Sequence, residues 1–141
     1  MNKELSKELM TIAEEILQSN DCHLYKCDGT IHESYNGQAS ALGVSTLMVG
    51  LKATLAIYYS DAPGPNDETK RRENNNYYKK AFRKLLLDVI VKMLNTKNST
   101  NYSTNEFVRT VMQADEDNQW KTDLIDCSVA LKHVIRTYKL E

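Results

Sequence analysis

The sequence predicts an all-α fold: a single compact bundle of about five or six helices around a buried central helix. Three observations predict it. Apolar residues recur at helical spacing in several long segments. Two prolines and five glycines in 141 residues leave few breakers. No run of alternating β-branched residues marks a sheet. The length is that of one domain, so residues 1–141 read as a single helical domain.

Residues 2–19 form the first expected helix. Leu5, Leu9, Ile12 and Ile16 make its apolar stripe, and Glu4, Glu8, Glu14 and Glu15 supply polar surface. Asn20 to Thr30 is a polar connection. The central helix then begins between Ile31 and Ala39 and runs to Tyr59. Val44, Leu47, Met48, Leu51, Leu55 and Tyr58 form one broad apolar face. Ala39, Gly43, Thr46, Gly50, Thr54 and Ile57 form a second, mostly small face. Lys52 and Ser45 leave only a narrow polar strip. A helix apolar nearly all round is buried among others. Gly43 and Gly50 each cost about 1 kcal/mol of helix propensity against Ala, so either a neighbouring backbone comes close at them or they are simply two tolerated glycines. Ser, Thr, Gly and Lys52 dilute the stretch too far for a membrane span.

Asp61-Ala-Pro-Gly-Pro-Asn-Asp67 stops that helix. The loop over 61–76 has no apolar anchor and is expected to be mobile. A helix follows from Tyr77 to Leu94, with Tyr78, Phe82, Leu85, Val89 and Met93 as its core stripe. Its opposite face carries Lys79, Lys80, Arg83 and Lys84 in the first half, then Leu87 and Val91. The first half therefore reads as a surface helix with a basic outer face, the second as enclosed. Asn95 to Tyr102 is a polar loop. Ser103-Thr-Asn-Glu106 has capping-box spacing and starts a short helix with Phe107, Val108, Val111 and Met112. Asp115-Glu-Asp-Asn118 interrupts the chain. The last helix runs from Gln119 to Lys139, with Trp120, Leu124, Cys127, Leu131, Val134, Ile135 and Tyr138 as its stripe.

The net charge of −1 conceals a strong asymmetry. Residues 1–69 carry −6, residues 70–97 carry +7 and residues 98–141 carry −2. Nine cations against two anions in the middle segment point to an anionic partner, with phosphate-backbone contact favoured over a merely solvated face. The expected contacts are Lys79, Lys80, Arg83 and Lys84, then Lys132 and Arg136, with Lys70, Arg71 and Arg72 added if their loop orders on binding. Cations in the first half of a helix oppose its macrodipole, an arrangement that bound phosphate relieves.

Catalytic and phosphate-loop motifs are absent: no G-x-x-x-x-G-K, G-x-G-x-x-G, H-E-x-x-H or C-x-x-C occurs. Cys22, His23, Cys27 and His32 match no common zinc spacing, so neither metal nor other cofactor is expected. Cys127 belongs to a core stripe and His133 to the surface. The first residues lack an apolar signal core and three cysteines suit a reducing compartment, so a cytoplasmic protein is expected.

Val49-Gly50-Leu51-Lys52-Ala53-Thr54-Leu55-Ala56-Ile57 is similar to a recurring segment of one family. That segment is an Asn-Gly-Leu followed by Thr-Leu-Ala-Phe; here Val49 stands for Asn and Ile57 for the aromatic. Near the end, Ala130-Leu131-Lys132-His133 stands where the family carries a Trp-Leu-Lys-Arg-like segment, so the Trp is absent and His replaces Arg. In element order and length the chain resembles the small subunit of type III-B (Cmr-type) CRISPR RNA-guided effector complexes. The resemblance implies an all-helical, non-catalytic protein. It implies head-to-tail stacking of copies as a minor filament, beside the backbone and large subunits, with a basic surface along the guide RNA and target RNA. A helical adaptor whose basic face meets an acidic protein partner remains the alternative. A small metal-dependent nuclease lacks clustered ligands. A helix-turn-helix over 104–139 would present an acidic turn to phosphate.

Overall fold

The computed structural model describes residues 3–19, 30–31, 34–59 and 76–140, excepting the side chains of Thr30, Ser34, residues 76–81, Lys139 and Leu140. Six helices occur among the described residues: α1 (Lys3–Leu17), α2 (Ser34–Val49), α3 (Leu51–Tyr58), α4 (Asn76–Asn98), α5 (Thr104–Gln113) and α6 (Asn118–Ile135). A two-residue parallel pair, β1 (Thr30–Ile31) with β2 (Lys139–Leu140), ties the chain end to the segment before α2. The expected loop over 61–76 lies outside the described residues except for Asn76, which opens α4.

Helix α1 buries Leu9, Ile12, Ala13 and Leu17, with Leu5 and Ile16 packed against the core edge. Helix α4 changes character along its length as its composition dictates. Leu86, Leu87, Val89, Ile90, Val91, Met93 and Leu94 are all buried, so its second half is largely enclosed, with Asp88, Lys92, Asn95 and Thr96 along the strip nearer solvent. Helix α6 packs on α1, α2 and α4 and buries Leu124, Cys127, Ala130, Leu131, Val134 and Ile135. Short α5 follows its cap: the Ser103 hydroxyl accepts from the Glu106 amide at 3.1 Å.

The expected central helix over 39–59 is two helices. Gly50 has φ 93° and ψ 166°, a region essentially reserved for glycine, and breaks the helix there. The break changes which face goes inward. In α2 the stripe Tyr35, Ala39, Leu42 and Thr46 is buried, while Val44, Leu47 and Met48 point into solvent. In α3 the large face is buried, through Leu51, Leu55 and Tyr58. The bundle's enclosed centre therefore lies in the second half of α4 and in α6. The elbow is held by its polar groups. The Ser45 and Thr54 hydroxyls share a hydrogen bond of 2.9 Å across it. Lys52 Nζ donates to the Ala114 carbonyl at the end of α5 at 2.6 Å.

Gly43 and Gly50 play different parts. A Cβ on Gly43 would lie 2.9 Å from Ser128 Oγ of α6, so what comes close there is a side chain and not the expected backbone. A Cβ on Gly50 would meet nothing within 4 Å; its glycine answers the backbone angle.

Candidate nucleic-acid interface

The direction of packing decides which cations share a surface. Lys97 near the end of α4 pairs with Asp123 near the start of α6, Nζ to Oδ1 3.1 Å. The Asn98 amide also donates to Asp123, at 3.4 Å. At the other end Arg83 of α4 reaches Gln38 near the start of α2, and β1 just before α2 pairs with β2 just after α6, so α4 and α6 run antiparallel and the first half of α4 lies toward the C-terminal end of α6. Lys79, Lys80, Arg83 and Lys84 thus belong to the same end of the bundle as Lys132 and Arg136. The end of α1 joins them, because the Tyr138 hydroxyl donates to Glu14 Oε1 at 2.8 Å and accepts from Gln18 Nε2 at 2.6 Å.

Not all of these cations face solvent freely. Arg83 is half-buried: its Nε donates to Gln38 Oε1 at 3.3 Å, and its guanidinium lies 5.7 Å from the Tyr58 ring centroid. The Lys84 ammonium lies 5.3 Å from the Tyr59 ring centroid. The two charge-over-ring contacts fasten α4 to the end of α3, and the hydrogen bond to Gln38 fastens it to α2. The same Tyr58 hydroxyl donates to the Gln38 carbonyl at 2.9 Å. Burial pushes its pKa up to about 12 against the opposing pull of Arg83. Helical period puts Arg83 and Lys84 opposite the apolar stripe of α4, and it cannot show that Tyr58 and Tyr59, distant in the chain, fold against them. Lys132 is half-buried and Arg136 exposed. The backbone of Lys79 and Lys80 lies in the first turns of α4, their side chains outside the described part. Lys70, Arg71 and Arg72 fall outside the described residues.

Among the described residues no group of three or more His, Cys, Asp or Glu is placed to hold a metal ion. Cys22, His23, Cys27 and His32 lie outside them. Cys127 is buried, and desolvation, with Asp123 adding to it, lifts its thiol to about 12. It is a core residue. His133 is exposed.

Comparison with known families matches residues 3–123 to the model described as CRISPR-associated protein (Cas_Cmr5). Comparisons with curated proteins and with solved structures each return no match. The family match spans every described helix up to the first turns of α6, including the Gly50 elbow. The chain is a member of this CRISPR-associated family, the small subunits of type III-B Cmr complexes.

Proposed function

We propose that the chain is a non-catalytic subunit of a type III-B CRISPR ribonucleoprotein, stacking as a minor filament and contacting the guide–target RNA backbone in antiviral defence. The observation that carries the RNA contact is the antiparallel α4–α6 pair, which brings the basic residues of two helices to one end of the bundle. Such contacts hold a phosphate backbone without reading its sequence. The subunit role draws on a second feature. Leu47 is 64% exposed and Met48 78%, beside exposed Val44 and Val49. An apolar helix face left in water marks a surface that meets other protein. Backbone and large effector subunits, and further copies of the chain, are the partners this reading assigns.

The alternative is an adaptor whose basic face meets an acidic protein. Arg83 and Lys84 are engaged by Gln38, Tyr58 and Tyr59, which lowers the number of cations free for any anionic partner, RNA or protein.

Affinity purification from the native host, with retained RNA sequenced and partners identified by mass spectrometry, separates the two. Repeat-derived guide RNA with other effector subunits supports the ribonucleoprotein reading. A protein-only assembly supports the adaptor.

A further inference from the structure

At the end of the bundle opposite the basic residues of the candidate interface, α4, α5 and α6 line a half-open cavity of about 450 Å³. Residues 80 to 98 of α4 separate the two ends by about 27 Å at 1.5 Å per residue. The apolar walls are Leu94, Tyr102, Phe107 and Trp120. The rings stand edge to face: Tyr102 and Phe107 at 6.3 Å and 62°, Phe107 and Trp120 at 6.5 Å and 85°. The loop closing one side is fixed. Ser99 takes φ 56° after the last turn of α4, and Thr100 N–H returns to the Asn95 carbonyl at 3.0 Å. Asn95 Nδ2 then donates to the Tyr102 carbonyl at 2.8 Å.

The polar groups in the wall are unequal in sign. Two carboxylates, Glu116 and Asp123, line the cavity, and no Lys or Arg among the described residues does, although the Lys97 ammonium pairs with Asp123 from beside it. Asp123 is buried; its Oδ1 accepts from Lys97 and from Gln119 Nε2 at 3.0 Å, while among the described residues Oδ2 has only the long Asn98 contact. An ionised carboxylate offers about four acceptor sites, so Oδ2 keeps capacity. Glu116 is exposed at the mouth; its Oε1 accepts from Asn118 Nδ2 at 3.1 Å. Asp115 and Asp117 flank it. With Asp123 offset by Lys97, Glu116 carries the net negative charge of the wall and disfavours a phosphate-bearing ligand. A flat cation is suited twice, by indole stacking and by carboxylate acceptors, and the guanidinium combines planarity, charge and paired donors.

We infer that this aromatic-walled, carboxylate-lined cavity is a docking pocket for an arginine side chain presented by a protein partner. The pocket is remote from the basic end, so the inference holds or fails independently of RNA contact there.

Trp120 is the only tryptophan of the chain, so its emission reports on the pocket in the intact protein. The test titrates the full chain with a blocked glycine-flanked arginine peptide, its citrulline counterpart and a short oligoribonucleotide. A saturable Trp120 change with the arginine peptide is expected, with the citrulline peptide about tenfold weaker because its neutral side chain forms neither an ion pair with the carboxylates nor a cation–π contact with the indole. Glu116→Gln should weaken the arginine peptide several-fold with an unchanged thermal midpoint, because Glu116 is exposed. No saturable change at millimolar arginine peptide overturns the assignment. Equal responses to arginine and citrulline also overturn it, as does preferential binding of the oligoribonucleotide, which would make the cavity a base pocket.

Discussion

Gly43 on α2 faces Ser128 on α6 with so little room that an added methyl would stand 2.9 Å from the serine hydroxyl. That hydroxyl is already committed to the Ile125 carbonyl at 2.8 Å. Gly43→Ala gains about 1 kcal/mol of helix propensity but must displace a packed group, at a cost of about 1–3 kcal/mol. A net loss of about 1 kcal/mol is expected by chemical denaturation. Ser128→Ala removes the obstructing oxygen, so the double variant should be more stable than Gly43→Ala alone. Stabilisation by Gly43→Ala alone would show that the two helices are not in close contact there.

Two backbone angles predict changes of opposite sign. Gly50 sits at φ 93° where a side chain meets no neighbour but the conformation itself is strained. Gly50→Ala should cost about 1–3 kcal/mol. Ser99, with φ 56°, is a non-glycine residue at a position that favours glycine. Ser99→Gly should therefore raise stability by a few tenths to about 1 kcal/mol. Equilibrium denaturation of the two variants checks both signs.

Alkaline pH should unfold the protein through Tyr58 and Cys127. Both have folded pKa values raised to about 12 by burial, from ordinary values of 10.0 and 9.0. Their folded forms favour the proton, so the stability they contribute is complete below pH 9 and is lost as pH rises toward 12. Denaturation midpoints should fall across that window, less steeply in Cys127→Ala than in the parent. In a Cys22→Ser/Cys27→Ser background, Cys127 should react with a thiol reagent only on unfolding.

The exposed face of α2 should matter to assembly and not to folding. Leu47→Lys and Met48→Lys alter side chains that are mostly in water, so stability of the isolated chain should change by less than about 0.5 kcal/mol. Incorporation into the reconstituted effector complex should drop markedly. Normal incorporation would remove the subunit-contact reading of this face.

How far the sequence revealed this architecture depends on the residue. The stripe of α1, the enclosed second half of α4 and the Ser103 cap follow from period and capping chemistry, and all three are seen. The division of residues 39–59 does not follow, because an apolar run keeps its helical period straight through Gly50. Hydrophobicity also cannot tell whether Val44, Leu47 and Met48 meet this chain's core or another's. The actual inward stripe, Tyr35, Ala39, Leu42 and Thr46, keeps helical spacing but is masked by its small and polar members. At the basic end, charge identified the segment. The packing of Arg83 on Tyr58 depends on how three helices meet, which local pattern does not encode. Buried Asp123 was likewise illegible, since its partner Lys97 lies on another helix.

Target-RNA affinity of the reconstituted complex, measured across salt concentrations, tests the central claim most directly. The variant should carry Lys79→Glu, Lys80→Glu, Lys132→Glu and Arg136→Glu, leaving the Arg83 and Lys84 interactions intact. The account predicts a complex that still assembles and binds target more weakly. Its plot of log K against log salt should be flatter by about 0.7 for each single-strand phosphate that the variant no longer neutralises. Unchanged affinity and unchanged slope in the assembled variant would contradict it and assign the basic end to a protein partner.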